Sequence, residues 1–362
     1  MAAFNLTKLV NRKLIKISGP DCYPYLQSLF TNDLRYLYEP DRIPKRKHAI
    51  ATSNVLGTFM LNAQGRVICD ILLYRTPHTR YECKFSQPGE AKEPDELLIE
   101  CDANIATGLA NTLYAYRVRR KVALEIITNL DVWCLYPRLN INNKQQITGN
   151  DVEANEVQSF NLVTIANEIL DNNITIVNDP RLDLMGLRIL SNSSYDYNNI
   201  KNEIRSKFNF DNLNESAIGK YILHKYRMGI GEGSEDHPEG SCLPLECNAD
   251  LLGSVSFDKG CYLGQELTAR IHYTGVVRKR LMPIMLSTDN TKAPPTMPFL
   301  SGSDIIDATN GKKLGVLRSV HRGGGLALLR HDQITESSKP IHEATQVPIT
   351  TWRPYWWSNV NS

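Results

Sequence analysis

Hydrophobic and polar positions alternate in two rhythms along this chain, and the rhythm changes near residue 276. Leu14-Ile15-Lys16-Ile17 reads as a strand. After the turn Ser18-Gly19-Pro20-Asp21, the residues Tyr25, Leu26, Leu29 and Phe30 recur at helical spacing, with Asp21 placed to cap that helix and Thr31-Asn32-Asp33 to end it. Residues 58–62 and 66–74 flank Ala63-Gln64-Gly65, the pattern of a hairpin with glycine in its turn. Leu97 to Cys101 predicts a strand, and residues 103–116 a helix with Ile105, Leu109, Leu113 and Tyr116 along one side. Strands follow at 122–127, 132–135, 174–177 and 187–190, the last two around Asp179-Pro180-Arg181. Residues 139–170 are rich in Asn and poorly patterned, which predicts variable loops, and 191–212 is polar. A helix over 215–228 carries Ile218, Tyr221 and Ile222 at helical spacing. Gly229-Ile230-Gly231-Glu232-Gly233 follows that helix instead of opening one, so it reads as a helix stop and flexible loop, not as a phosphate cradle.

From Val276 onward, short strands alternate with Pro and Gly punctuation: 280–286, 304–307, 314–320, 325–329 and 347–352. Even spacing of short strands predicts a small β-barrel. The expected division is therefore residues 1–275 and a barrel domain over 276–362. Trp352, Trp356 and Trp357 are expected to pack across the barrel or onto the first domain.

Composition narrows the picture only a little. With 362 residues, 42% hydrophobic and 22% charged, the chain is long enough for a sizeable core. A net charge of +2 gives no global reason to expect DNA, and no apolar run approaches the roughly 18 residues of a membrane span, so neither DNA nor membrane is an expected partner. Eight cysteines, at 22, 69, 83, 101, 134, 242, 247 and 261, include no C-x-x-C pair and suggest free thiols in a reducing compartment. Cys242 and Cys247 flank Leu-Pro-Leu-Glu, a pairing that reads as accidental for a metal site. The first 20 residues carry Lys8, Arg12, Lys13 and Lys16 with no acid, the composition of a mitochondrial transit peptide, although Leu14 to Ile17 already reads as structure.

The richest chemistry lies in Lys259-Gly260-Cys261-Tyr262-Leu263-Gly264-Gln265-Glu266. Leu251 to Phe257 before it reads as a short strand or extended segment. After it, Leu263, Leu267 and Ile271 suggest one apolar face of a helix. Cys261 is thus expected on a glycine-flanked turn at or just before a helix N-terminus, with Lys259 two residues away. Both features favour the thiolate, the form that attacks electrophiles and binds metal. A small buried hydrophobe in a turn is the alternative.

This run resembles the K-G-C-Y-x-G-Q-E signature of the YgfZ-type, folate-binding iron–sulfur cluster assembly proteins, relatives of the glycine-cleavage T-protein, an aminomethyltransferase. The likeness covers nearly the whole chain, through Ile17 to Asp21, Leu29 to Asp33, Gly65 to Tyr74, Asp179-Pro180-Arg181, Pro244-Leu245-Glu246, Glu266 to Arg270 and Gly275 to Leu281. It is nearest to the mitochondrial member found in animals, which implies a late role in making [4Fe–4S] clusters. The resemblance implies an α+β fold with a folate-binding region of two similar subdomains around a central channel, plus the small C-terminal barrel. It also implies a mitochondrial matrix location and partnership with A-type iron–sulfur scaffold proteins. One cysteine cannot hold a cluster alone. Cys261 would share a transient iron–sulfur cluster with a partner's thiols or with a second copy in a cluster-bridged homodimer, with His272 as a further candidate ligand.

For tetrahydrofolate, Glu246 matches the carboxylate that holds the pterin, and Arg227 matches an arginine near the ligand channel. Lys259 and Gln265 of the signature complete the candidate cofactor-binding set. Arg117, Arg119, Arg120 and Lys121 would either meet a folate polyglutamate tail or form a solvated face. The transferases carry an Asp-Asp pair where this chain has Cys69-Asp70. Asp70 is the candidate acid or base should the chain be a folate-dependent one-carbon (aminomethyl-type) transferase; the altered pair argues for an assembly factor without efficient transfer. An adaptor in which Cys261 only shapes an interface is a third reading.

Overall fold

The computed structural model describes residues 3–44, 46, 48, 52, 54–75, 96–139, 169–170, 173–208, 210, 212–287 and 299–357. Cys83 and most of the Asn-rich stretch expected as loops, residues 140–168, lie outside the described residues.

Three sheets carry the fold. The first is built on the early hairpin: β3 (Val55–Leu61) pairs with β4 (Val67–Arg75), which is followed across the sheet by β5 (Glu96–Asp102), β2 (Arg12–Ser18) and β6 (Ala123–Ile127), all antiparallel. The second sheet has the order β11 (Leu213–Glu215), β1 (Phe4–Lys8), β7 (Leu130–Pro137), β10 (Leu187–Asn192), β9 (Ile174–Asn178) and β8 (Ile169–Leu170), with only β1 and β11 parallel. The third runs β16 (Pro340–His342), β13 (Asp304–Asp307), β14 (Lys313–His321), β15 (Gly324–Leu329), β12 (Arg280–Leu286) and β17 (Ile349–Thr351). A bridge from Ile341 to Pro348 brings its two edges together into a nearly closed barrel. The α+β architecture and the C-terminal barrel are as the sequence predicts.

Five α-helices are described: α1 (Cys22–Gln27), α2 (Ala106–Tyr116), α3 (Tyr197–Phe208), α4 (Ile218–Arg227) and α5 (Gln265–Thr274). Helix α1 is shorter than its apolar spacing suggests, because Phe30 leaves it to bridge Met60 of β3. Helix α3 falls in the stretch read only as polar; Ile200 and Ile204 form its buried stripe, flanked by half-buried Tyr197 and Phe208, and pack against Phe4, Leu187 and Phe210. Leu251 to Phe257 is irregular and joins no ladder. The main core runs through both sheets of the first region and into the barrel, from Leu14, Leu72, Val132 and Val177 to Met282, Leu317 and Ala327. Trp356 and Trp357 join it, and Trp356 Nε1 donates to the Met228 carbonyl at 2.7 Å, so the terminal tryptophans tie the barrel to the first region.

Charge, not only apolar area, fills the seam between the first two sheets. Arg12 at the start of β2 pairs with Asp70 of β4 at 3.2 Å and with Glu100 of β5 at 2.7 Å. Arg188 of β10 reaches Glu100 at 3.7 Å, Asp179 at 3.3 Å and Glu232. Arg181 holds Asp179 at 2.6 Å and Glu232 at 3.0 Å. Tyr74 and Tyr221 donate hydroxyl hydrogen bonds to Glu100 and Glu232. Arg12, one of the four basic residues of the segment with presequence-like composition, is therefore an interior residue of the folded chain. The Gly229 to Gly233 run does stop α4, but its end is not a flexible loop: Glu232 is buried in this network, and the Gly233 N–H donates to Asp70 at 2.8 Å.

Burial alone would raise the carboxyl pKa values of Asp70, Asp179 and Glu232; the facing guanidinium groups outweigh it, and all three are lowered, Glu232 far below the usual range. Folded values below unfolded ones stabilise the fold above the unfolded values of about 4, and that contribution is lost as pH falls through the folded ones. The urea midpoint is therefore expected to hold from neutrality to about pH 5 and to fall steeply below about pH 4. At pH 7, Arg188→Met is expected to cost about 3–5 kcal/mol, because it strands buried carboxylates; a loss under about 1 kcal/mol in urea titration would remove the network from its structural role.

Candidate functional site

The loop bearing Cys261 is held by hydrogen bonds that end on backbone groups. Thr31 Oγ1 donates to the Ser254 carbonyl at 2.7 Å, and Asn32 Nδ2 donates to Gly253 O at 2.8 Å and Gly57 O at 2.7 Å. The Ser256 and Leu263 N–H groups donate to Thr31 O and Ser28 O. Lys259 is buried, and its Nζ donates to the carbonyls of Gln27, Phe30 and Asn32 at 2.7, 2.6 and 2.8 Å. Burial pulls its pKa down to about 7, while three carbonyls, one for each ammonium hydrogen, favour the charged form. Lys259 thus fastens the loop to the end of α1 and the turn after it.

Gly264 precedes α5 with φ of 75°, and a Cβ there would stand 2.3 Å from the Asn62 carbonyl and 3.0 Å from Gly65 Cα. Gly65, in the turn of the early hairpin with φ of 78°, meets the Gly264 carbonyl in return. Two glycines from distant parts of the chain therefore let the hairpin turn and the signature loop touch backbone to backbone. Tyr262 inserts beneath the loop into a core with Phe59, Leu61, Val67, Cys242 and Cys247.

Between these anchors the loop turns outward. Gly260 has open space around it, and Cys261 is exposed; the other described cysteines are buried. Cys261 lies four positions before the first residue of α5, and the Gln265 Oε1 accepts from the Tyr262 N–H at 3.4 Å. Within α5 only Thr268 is buried, so the predicted apolar face of Leu267 and Ile271 is half-covered. His272, exposed in the last turn, stacks on Phe257 at 3.5 Å and 7°. Tyr273 and Val276 are exposed beside it.

Asp70 is placed elsewhere, in the charge seam: Oδ1 accepts from Gly233 N–H and Oδ2 from Arg12. Glu246 is half-buried, and its Oε2 accepts from the Leu243 N–H at 3.3 Å; burial raises its pKa, with the Leu243 N–H and Lys279 opposing. Arg227 ends α4, half-buried, with its pKa lowered by burial. Arg117, Arg119, Arg120 and Lys121 line a groove of about 460 Å³ with Ser18, Gly19 and Val122, and none of the other candidate residues lines it.

One grouping escapes sequence reading. Cys242 and Cys247 flank Glu246, and with His237 they bring their donor atoms within 4.8 Å of one another in the interior. A hydrogen bond from Cys247 lowers the Cys242 thiol to about 5, helped by His237, and Cys247 is correspondingly raised. Burial works against protonation of His237, but Cys242 and Asp70 raise it. The signal in the sequence is the even spacing H-x4-C-x4-C, which contains no C-x-x-C pair.

This geometry belongs to a recognisable class. Residues 278–359 match the domain family "CAF17, C-terminal beta-barrel domain". The fold is similar to the glycine cleavage system aminomethyltransferase T of Bartonella henselae, with a TM-score of 0.63 over 98% of this chain and 86% of that one, at 12% identity. The chain is thus a T-protein-like fold carrying a CAF17-type barrel. It is 32% identical over 99% of its length to the human protein named iron-sulfur cluster assembly factor IBA57, mitochondrial, covering 87% of that protein, and 31% identical over 98% of its length to the mouse protein of that name, covering 86% of it. The Dictyostelium discoideum homologue is 28% identical over 95% of the chain and 80% of the relative. The chain belongs to the IBA57 family of mitochondrial iron–sulfur cluster assembly factors.

Gly264→Ala is expected to cost about 1–3 kcal/mol from backbone conformation alone, with the clash at Asn62 added. Gly260→Ala should stay within about 0.5 kcal/mol. Equal urea midpoints for the two variants would contradict the glycine contact described above.

Proposed function

We propose that this chain acts late in the maturation of [4Fe–4S] proteins in the mitochondrial matrix, together with an A-type scaffold protein, and that Cys261 supplies one ligand to a cluster shared between them. The observation that carries this reading is the exposure of Cys261 on a loop whose flanks are fixed, while the other described cysteines are buried. Thiolate sulfur is the main ligand of such clusters, and a cluster is cargo here. One exposed thiol supplies one ligand, so the remaining ligands come from a second polypeptide, either the scaffold or a second copy of this chain. His272 and Tyr273 in the last turn of α5 and Val276 just after it are also exposed.

Tetrahydrofolate is the second part of the reading. Glu246 fits a pterin as a hydrogen-bond acceptor: it is a half-buried carboxylate with one N–H contact at 3.3 Å, which leaves acceptor capacity for the amino and ring N–H groups of the ligand. Arg227 would face the folate carboxylates, while Lys259 and Gln265 serve by shaping the loop. Bound folate would supply a one-carbon carrier. Asp70 would have to exchange existing partners, Arg12 and Gly233, to move a proton there, which favours the assembly reading over aminomethyl transfer.

The decisive experiment is anaerobic reconstitution with iron, sulfide and an A-type scaffold, followed by visible absorption and EPR. The cluster is expected to require both proteins and to vanish with Cys261→Ser. A cluster unchanged in that variant would reduce Cys261 to a structural role. Fluorescence titration with tetrahydrofolate should show binding by the wild-type chain and a loss of roughly tenfold or more in Glu246→Ala, on the scale of a lost charge-assisted hydrogen bond.

A further inference from the structure

We propose that His237, Cys242 and Cys247 form a binding site for a single thiophilic metal ion, Zn²⁺ in the first place, separate from Cys261. All three side chains are buried, His237 at 1% exposure, and their donor atoms lie within 4.8 Å of one another. Zn²⁺ sits about 2.3 Å from thiolate sulfur and about 2.0 Å from imidazole nitrogen. Donors around one such ion are therefore under about 4 Å apart, and closure onto it needs shifts of no more than about 1 Å.

A second observation points to a ligand. His237 Nδ1 is buried with no hydrogen-bond partner. A buried imidazole nitrogen left unpaired is costly, and metal coordination is one way to satisfy it. The ring is locked in place: it meets Phe59 edge-on at 5.5 Å and 76°, and a Cβ at Gly231 would stand 2.7 Å from Nε2. The backbone that carries the two thiols is pinned as well. The Val67 N–H donates to Cys242 O at 3.0 Å, the Gly240 N–H to Val67 O at 2.8 Å, and the Cys247 N–H to Leu243 O and Pro244 O, both at 3.1 Å. Preorganised donors on a pinned backbone are what a metal site requires.

Charge and donor type select the ion. Two thiolates and a neutral imidazole around Zn²⁺ sum to zero, so the complex can be buried without a counter-charge. Binding needs both sulfurs as thiolates and the imidazole neutral, so whatever protons these groups carry leave to solvent as the ion takes their place. Soft sulfur donors disfavour Mg²⁺ and Ca²⁺. Three protein ligands leave a fourth position open, unlike the closed four-ligand arrangement of structural zinc sites. Tyr262, next to Cys261, packs in the same core as Cys242 and Cys247, so the ion would stiffen the floor of the signature loop without contacting its thiol.

The test uses the full-length chain, stripped of metal and kept anaerobic. Titration with Zn²⁺ against a chromophoric chelator should give one equivalent bound, and Co²⁺ should give thiolate-to-cobalt charge-transfer absorption. Cys242→Ser, Cys247→Ser and the double variant should weaken Zn²⁺ by more than the roughly 10–100-fold that losing an outer-shell partner costs. Cys261→Ser should bind as the wild type does. Zn²⁺ should also raise the melting temperature of the wild-type chain and not of the folded double variant, which separates loss of the site from loss of the fold. No binding by the wild-type chain, binding abolished by Cys261→Ser, or full affinity in the double variant would each overturn the proposal. Because the readout involves neither scaffold nor cluster, its failure leaves the role of Cys261 untouched, and failure of that role leaves this site untouched.

Discussion

The architecture depends on a desolvated set of ion pairs at the seam of two sheets. Three guanidinium groups, of Arg12, Arg181 and Arg188, meet the carboxylates of Asp70, Glu100, Asp179 and Glu232 with almost no water around them. Each of these charges would be strongly unfavourable alone in the interior. Contributions come from β2, β4, β5, β10, the turn after β9 and the loop after α4, so the network can form only when those segments meet in one arrangement. Apolar packing would tolerate some sliding between the sheets; directional ion pairs tolerate far less. A neighbouring set repeats the device toward the barrel, where Lys225 and Tyr226 of α4 and Ser319 of β14 converge on Asp236.

Strands were the legible part of the chain, because period-two alternation and glycine turns are local signals. The hairpin around Gly65 and most barrel strands fall where the pattern puts them. Elements whose definition is tertiary were not legible. β16 is three residues long and exists by pairing with β13. Helix α3 hides its four-residue stripe of Tyr197, Ile200, Ile204 and Phe208 among asparagines and lysines. Leu251 to Phe257 has strand-like residues, yet its backbone groups go to Thr31 and Asn32 instead of a ladder. Glu232 looks like a loop residue in sequence, and only the fold reveals its three arginine neighbours.

The candidate site was legible where one continuous signature carried it and opaque where it was assembled from turns. The sequence pointed to Cys261 as the accessible thiol, but not to what supports it: Lys259 reads as an electrostatic neighbour of the sulfur, whereas its ammonium is saturated by three carbonyls of another segment. His237, Cys242 and Cys247 span only a short stretch of chain, yet nothing in their spacing reveals that successive turns point all three inward.

The contact between Gly65 and Gly264 has a chemical side as well as a steric one. Together with the carbonyls around Lys259, it fastens the signature loop through amide groups and one ammonium. None of these groups oxidises readily, and none competes with sulfur for iron. The exposed thiol of this loop can thus be oxidised as far as a sulfenic acid or a disulfide while the loop keeps its shape, so that reduction at the sulfur alone restores it.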